Sequence, residues 1–167
     1  MDITDLILDD HHRQRLAFAR LDDVDRADWE NIGLIWNRLA QFLELHAAAE
    51  EAIFYPELLR QADQSGAETK DAIHDHNEIR DAVADVAQHP VGSDAWWAAV
   101  GKARKANTDH MGEEEDDGLP DFRRHASLEL RHQLAVQFEA TKAAPVAAAL
   151  DYTDKDPARY IAEHAPD

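Results

Sequence analysis

The chain carries ten histidines and 35 acidic residues but no cysteine, so its reactive chemistry has to come from imidazole and carboxylate. Two His-x-x-x-Glu pairs, His46/Glu50 and His110/Glu114, place the two groups one helical turn apart on a single face. The same spacing occurs at His74/Glu78 and His125/Glu129, so the face a pair occupies decides its meaning. At ~100° per residue, Ile32, Ile35, Leu39, Phe42, Glu50 and Ile53 fall within about 40° of His46, and the pair sits inside an apolar stripe. Ala99, Ala103, Ala106 and Glu114 share the face of His110, where small side chains leave room beside the ring. A bare carboxylate in an apolar interior is costly unless it is paired or binds a metal. Arg13, Arg38 and Arg80 read as off the centre of the inward faces, so the two pairs require a cation.

His76 lies within the stripe Ala72, Ile79, Val83 and Val86, while His74 points to nearly the opposite side. His11 borders the stripe Ile3, Ile7, Phe18 and Leu21, and His12 does not. The inward set is then His11, His46, His76 and His110, at intervals of 35, 30 and 34 residues. Such intervals suit a chain that runs up one helix and down the next. Four imidazoles plus Glu50 and Glu114 exceed the needs of one tetrahedral zinc and suit two octahedral ions that share bridging carboxylates, iron or manganese. His12, His74, His89, His125, His132 and His164 read as solvated or hydrogen-bonded groups. In the acidic run Glu113 to Asp117 only Glu114 is given chemistry, and Trp29, Trp36, Trp96 and Trp97 read as packing.

The elements that position these residues are helical. Only six glycines and six prolines punctuate 167 residues, and apolar residues recur three and four apart. Helical segments are expected from Thr4 to Leu21, Asp28 to Gln61, Glu68 to Gln88, Asp94 to Gly118 and Asp121 to Lys142. Gln64-Ser65-Gly66 reads as the stop after the second, and Asp156-Pro157 as the cap of a short terminal helix. Short connections favour an all-α, antiparallel up-down four-helix bundle with an additional C-terminal helical extension. A division into residues 1–144 and a tail 145–167 is expected, and no internal repeat reads out.

The formal charge of −18 repels phosphate backbones and anionic lipid, so neither nucleic acid nor membrane is an expected partner. No basic segment leads into a long apolar run at the N-terminus, and a cytoplasmic location is expected. Absence of cysteine removes disulfides, thiol catalysis and iron–sulfur clusters. No HExxH or serine-nucleophile motif occurs. Of the Glu-x-x-His pairs a ferritin-like site needs, only Glu129/His132 is present.

Asp10-His11, HAAAEEAIFYP from His46 to Pro56, HNEI from His76 and HMGEEE from His110 together resemble the hemerythrin-like proteins with the HHE cation-binding domain. The resemblance implies two Fe ions, oxo- or hydroxo-bridged, with the histidines as terminal ligands and Glu50 and Glu114 as bridges. Oxygen-carrying members have a second helix-three histidine one turn before the position of His76, and here that place is Ala72. A water, an anion or the Tyr55 phenol is left to fill the gap. Those carriers take their fourth-helix carboxylate five residues after the histidine, so Glu115 competes with Glu114, although the wheel turns only Glu114 inward. The implied function is binding of, or reaction with, a small oxidant (O2, H2O2 or NO); as an enzyme it would be catalase-like or a peroxide- or NO-reducing oxidoreductase. The alternative is an iron, oxygen or redox sensor or store without turnover, read out by a protein partner or a homo-oligomer.

Overall fold

A computed structural model describes residues 1–62, 65–143 and 147–166. Asp2 accepts from the Thr4 N–H and caps α1 (Ile3–Asp23), and Asp28 does the same through Asn31 for α2 (Trp29–Ala49). The chain runs on through a π-helical turn, Glu50–Phe54, into α3 (Tyr55–Gln61). After α4 (Ser65–Val86), Ser93 caps α5 (Asp94–Glu113), which continues through a second π turn, Glu114–Gly118, into α6 (Leu119–His125). Ser127 caps α7 (Leu128–Lys142) and Asp156 caps α8 (Pro157–His164). Among the described residues there is no strand.

Three details depart from the sequence reading. The second and fourth segments are not uniform helices, because Pro56 and Pro120 lack an N–H and their rings crowd the carbonyl four residues back. The backbone widens by one residue instead: the Tyr55 N–H bonds to the Glu50 carbonyl and the Leu119 N–H to the Glu114 carbonyl. The segment expected from Asp121 to Lys142 breaks at Ala126, which is extended and hands over to the Ser127 cap. Ser65 and Gly66, read as a stop, open α4. Gln64, and the expected division at residues 144 and 145, lie outside the described residues.

Contacts along the chain fix the topology. Asp10 meets His46, Glu51 meets His76, and α1 runs against α5 with His11 at Glu115 and Asp22 at Arg104. Between α4 and α5 the pairs are Asp75 with His110 and Asp85 with Lys102. Neighbouring long helices are therefore antiparallel. One apolar cluster (Phe18, Ile32, Trp36, Leu43, Val83 and Trp96 among others) fills one end of the bundle. A second, with Ile3, Ile7, Phe54, Leu58, Ile73 and Phe122, fills the other. Phe138 of α7 and Tyr160 of α8 belong to that second cluster, so the extension is part of the core. Between the clusters lies the layer of titratable residues. Trp36 and Trp96 pack edge to face at 5.9 Å as expected, whereas Trp29 is 65% exposed. Among the described residues no helix is long and apolar enough to cross a membrane.

Candidate metal centre

The four inward histidines and Glu50 meet in the middle layer, each no more than 3% exposed. One ligand atom each from His11, His46 and Glu50 lie within 4.8 Å of one another, and so do those from Glu50, His76 and His110. Glu50 belongs to both groups: Oε1 is 2.9 Å from His46 Nε2 and Oε2 is 3.3 Å from His76 Nε2. Glu114 adjoins them without joining either. Its Oε2 stands 3.3 Å from His11 Nε2, and its Oε1 accepts from the Tyr55 hydroxyl at 3.1 Å. His12 and His74 are exposed, as expected.

Nε2 of His11 and of His46, both oxygens of Glu50 and Oε2 of Glu114 are buried and meet one another or His76 only as close ion-pair contacts, with no well-aligned hydrogen bond. Burying such atoms without a hydrogen bond is costly, and these five face one another across one small space. Imidazole nitrogen and carboxylate oxygen are the donor set that suits iron or manganese. The residues fit a pair of cations.

A ring of carboxylates surrounds this set. On α1, Asp10 Oδ2 lies 3.3 Å from Nδ1 of His46 on α2. Glu51, one residue beyond Glu50, accepts from Nδ1 of His76 on α4 at 2.9 Å. Asp75 on α4 stands 3.6 Å from Nδ1 of His110 on α5, and Glu115 accepts from Nδ1 of His11 at 2.8 Å, closing the circuit. A carboxylate on Nδ1 fixes the tautomer and aims Nε2 at the centre. Glu115 is thus the partner of His11, and Glu114 the inward residue. Arg80, expected off the inward faces, is buried, and its guanidinium donates to Glu51 at 2.8 Å.

The ring exposes a repeat that the sequence reading denied. Asp10-His11, His46, Glu50-Glu51 and Pro56 recur as Asp75-His76, His110, Glu114-Glu115 and Pro120, each 64 or 65 residues on. Asp-His followed by His-x3-Glu-Glu-x4-Pro was the available signal for Glu51 and Asp75. So few positions recur that the apolar residues between them hide it; Tyr55, for example, corresponds to Leu119.

Without metal, the carboxylates around them make His11, His46 and His76 hold a proton more tightly than an ordinary imidazole. Burial alone would lower the pKa of His46, but Glu50 and Asp10 outweigh it and raise it to about 10. Burial pushes Glu50 up, yet His46 and His76 drive it well below its ordinary 4.5. Metal binding must displace protons, so affinity rises with pH. For the metal-free fold the signs are opposite for the two groups. The raised His46 contributes stability that is full below pH 6.5 and lost towards about 10. The depressed Glu50 contributes above 4.5 and loses its share as pH falls through its folded value. The stability of metal-free wild type over His46→Gln, measured by denaturant titration, is therefore expected to fall from pH 6.5 to 10; a rise over that window would contradict the raised pKa of His46.

An antiparallel helical bundle with a buried His/carboxylate layer able to hold metal defines a class of metal-binding bundle protein. The hemerythrin HHE cation-binding domain matches residues 2–122, and the chain belongs to this family. An uncharacterised hemerythrin-like protein of Schizosaccharomyces pombe is 25% identical over 146 residues, covering 84% of this chain and 68% of that protein. No solved structure matches. The family match ends before α7 and α8.

Proposed function

We propose that the protein is a non-heme di-iron protein that binds or reacts with a small oxidant such as O2, H2O2 or NO. The observation that carries the reading is Glu50, which offers one oxygen to each histidine pair. His11 and His46 would hold one iron, His76 and His110 the other, with Glu50 and Glu114 between them. When bound, such a pair supplies one-electron cycling between ferrous and ferric states to a small ligand.

The chain's own part is access and exclusion. A cavity of about 120 Å³ is bordered by Ala72, Asp75, His110, Glu114, Tyr55 and Leu58. It reaches the His76/His110 side, where Ala72 stands in place of the carriers' imidazole. Tyr55 keeps its proton, because burial and the charges of Glu114 and Glu50 push its pKa well up; it holds Glu114 Oε1 by donation from its hydroxyl. The rim adds Glu68, Asp71, Glu113 and Asp117. That mouth repels anions and is indifferent to neutral O2, H2O2 and NO. Azide binding is expected to tighten several-fold as ionic strength rises from about 10 mM to 150 mM, because the Debye length falls from ~30 Å to ~8 Å. Spectroscopic azide titrations check this, and weakening with salt would contradict an acidic gate.

Metal analysis with an ultraviolet–visible spectrum before and after dithionite tests the proposal. About two irons per chain are expected, with a near-ultraviolet absorption that bleaches on reduction. One tightly held zinc and no iron after expression in iron-replete medium would overturn it.

A further inference from the structure

Two lysines from the extension beyond the family match reach the carboxylate ring. Lys142, at the end of α7, places Nζ 2.7 Å from Asp10 Oδ2, the same oxygen that faces His46 Nδ1. Lys155, in the segment before α8, places Nζ 2.7 Å from Glu51 Oε2, while Oε1 of that carboxylate serves His76 and Arg80. Neither contact is a loose surface pair. The Lys142 ammonium lies over the Phe138 ring at 4.3 Å, and its side chain is 11% exposed. Lys155 is clamped through its backbone: its N–H donates to Asn77 Oδ1 at 3.0 Å and its carbonyl accepts from Asn77 Nδ2 at 2.7 Å. From α8, the Tyr160 hydroxyl donates to the Glu51 carbonyl. One extension lysine thus stands behind one histidine of each group. In the second half of the repeat Glu115 takes Arg15 of α1 instead, and Asp75 borders the open cavity.

We propose that Lys142 and Lys155 are positioning residues that set how strongly Asp10 and Glu51 draw on the Nδ1–H of His46 and His76, which makes the C-terminal extension part of the metal centre. The inference rests on the di-iron reading. A carboxylate that accepts from Nδ1–H enriches the ring at Nε2 and makes it a better donor to a metal. An ammonium on the same carboxylate withdraws charge from that bond and weakens the donor. The geometry also ranks the two. Lys142 competes for the very oxygen that faces His46, whereas Lys155 sits on the oxygen away from His76 and Glu51 keeps Arg80 when it is gone. Lys142 therefore has the larger effect.

The test compares full-length wild type with Lys142→Met, Lys155→Met, the two Lys→Arg variants, and Lys102→Met as a surface charge control on Asp85. Iron content is measured first: a wild type that does not hold two irons refutes the di-iron reading and is scored separately. At two irons per chain, redox titration is expected to show Lys142→Met favouring the ferric state three- to tenfold, a midpoint lowered by about 30–60 mV for a one-electron step. Lys155→Met shifts the same way by less, both arginine variants return towards wild type, and Lys102→Met does not move. If a methionine variant does not fold, Lys142→Gln or Lys155→Gln makes the same comparison, because it also removes the charge. Unchanged midpoints in charge-free variants that hold two irons would overturn the proposal. So would a shift matched by Lys102→Met, or a loss of thermal stability alone, which would make the lysines only a latch for the extension.

Discussion

Glu50→Ala is expected to strip iron from both halves of the centre, whereas His110→Ala should leave about one equivalent on His11, His46 and Glu50. The difference follows from Glu50 alone being shared by the two groups of ligand atoms. The same substitution weakens the metal-free fold. It leaves His46 and His76 buried beside Asp10 and Glu51 but without the carboxylate between them, and breaking a buried pair typically costs about 3–5 kcal/mol. Glu50→Gln separates the causes, since it keeps the volume while removing the charge and the bridge; it should lose iron as fully but unfold less readily. Iron per chain by elemental analysis, with denaturant unfolding of the metal-free proteins, reads both effects. Retention of one full equivalent by Glu50→Ala would place the bridge elsewhere, with Glu114 the remaining inward carboxylate.

How much of this was legible in the sequence depends on how local each feature is. His11, His46, His76 and His110 stood out because a polar residue on an apolar stripe is visible from helical spacing alone, and all four are buried. The wheel failed where the helix is covered on more than one side. The wheel turns Glu51 away from the stripe, but every residue from His46 to Glu51 is buried, and Lys155 and Tyr160 of the extension cover Glu51. Asp75 was missed for a different reason: it is only half-buried and its partner lies on the next helix. Lys142 and Lys155 had no local signal of any kind. Each meets a carboxylate more than 100 positions away, and such pairing is decided by how α7 and α8 dock on the bundle.

Ala72→His is expected to close the open side of the centre. Ala72 borders the cavity together with His110, Glu114 and Tyr55, so an imidazole there occupies the approach and offers the nitrogen that the carriers have. Peroxide consumption is expected to fall roughly tenfold, the equivalent of about 1.4 kcal/mol in the barrier, while iron on the His76/His110 side is held more tightly. Overpacking works against this by about 1–3 kcal/mol where a cavity cannot take the ring; because the cavity opens to solvent, part of that strain is relieved by rotation outward. Asp71→His supplies the control: it adds an imidazole at the exposed rim without taking the place of Ala72, and Asp71→Asn accounts for the acidic rim charge that Asp71→His removes and Ala72→His keeps. Peroxide loss and O2 release are compared at matched iron content. Rapid, repeated and reversible oxygenation by the wild type, without autoxidation, would make the protein a carrier or store. No peroxide loss by the wild type and no change in Ala72→His would favour a sensor, which needs a ligand to bind next to His110 but no turnover. Slowing in Ala72→His and not in Asp71→His or Asp71→Asn would locate the reaction on the His110 side of the cavity, since only the first puts an imidazole where Ala72 stands.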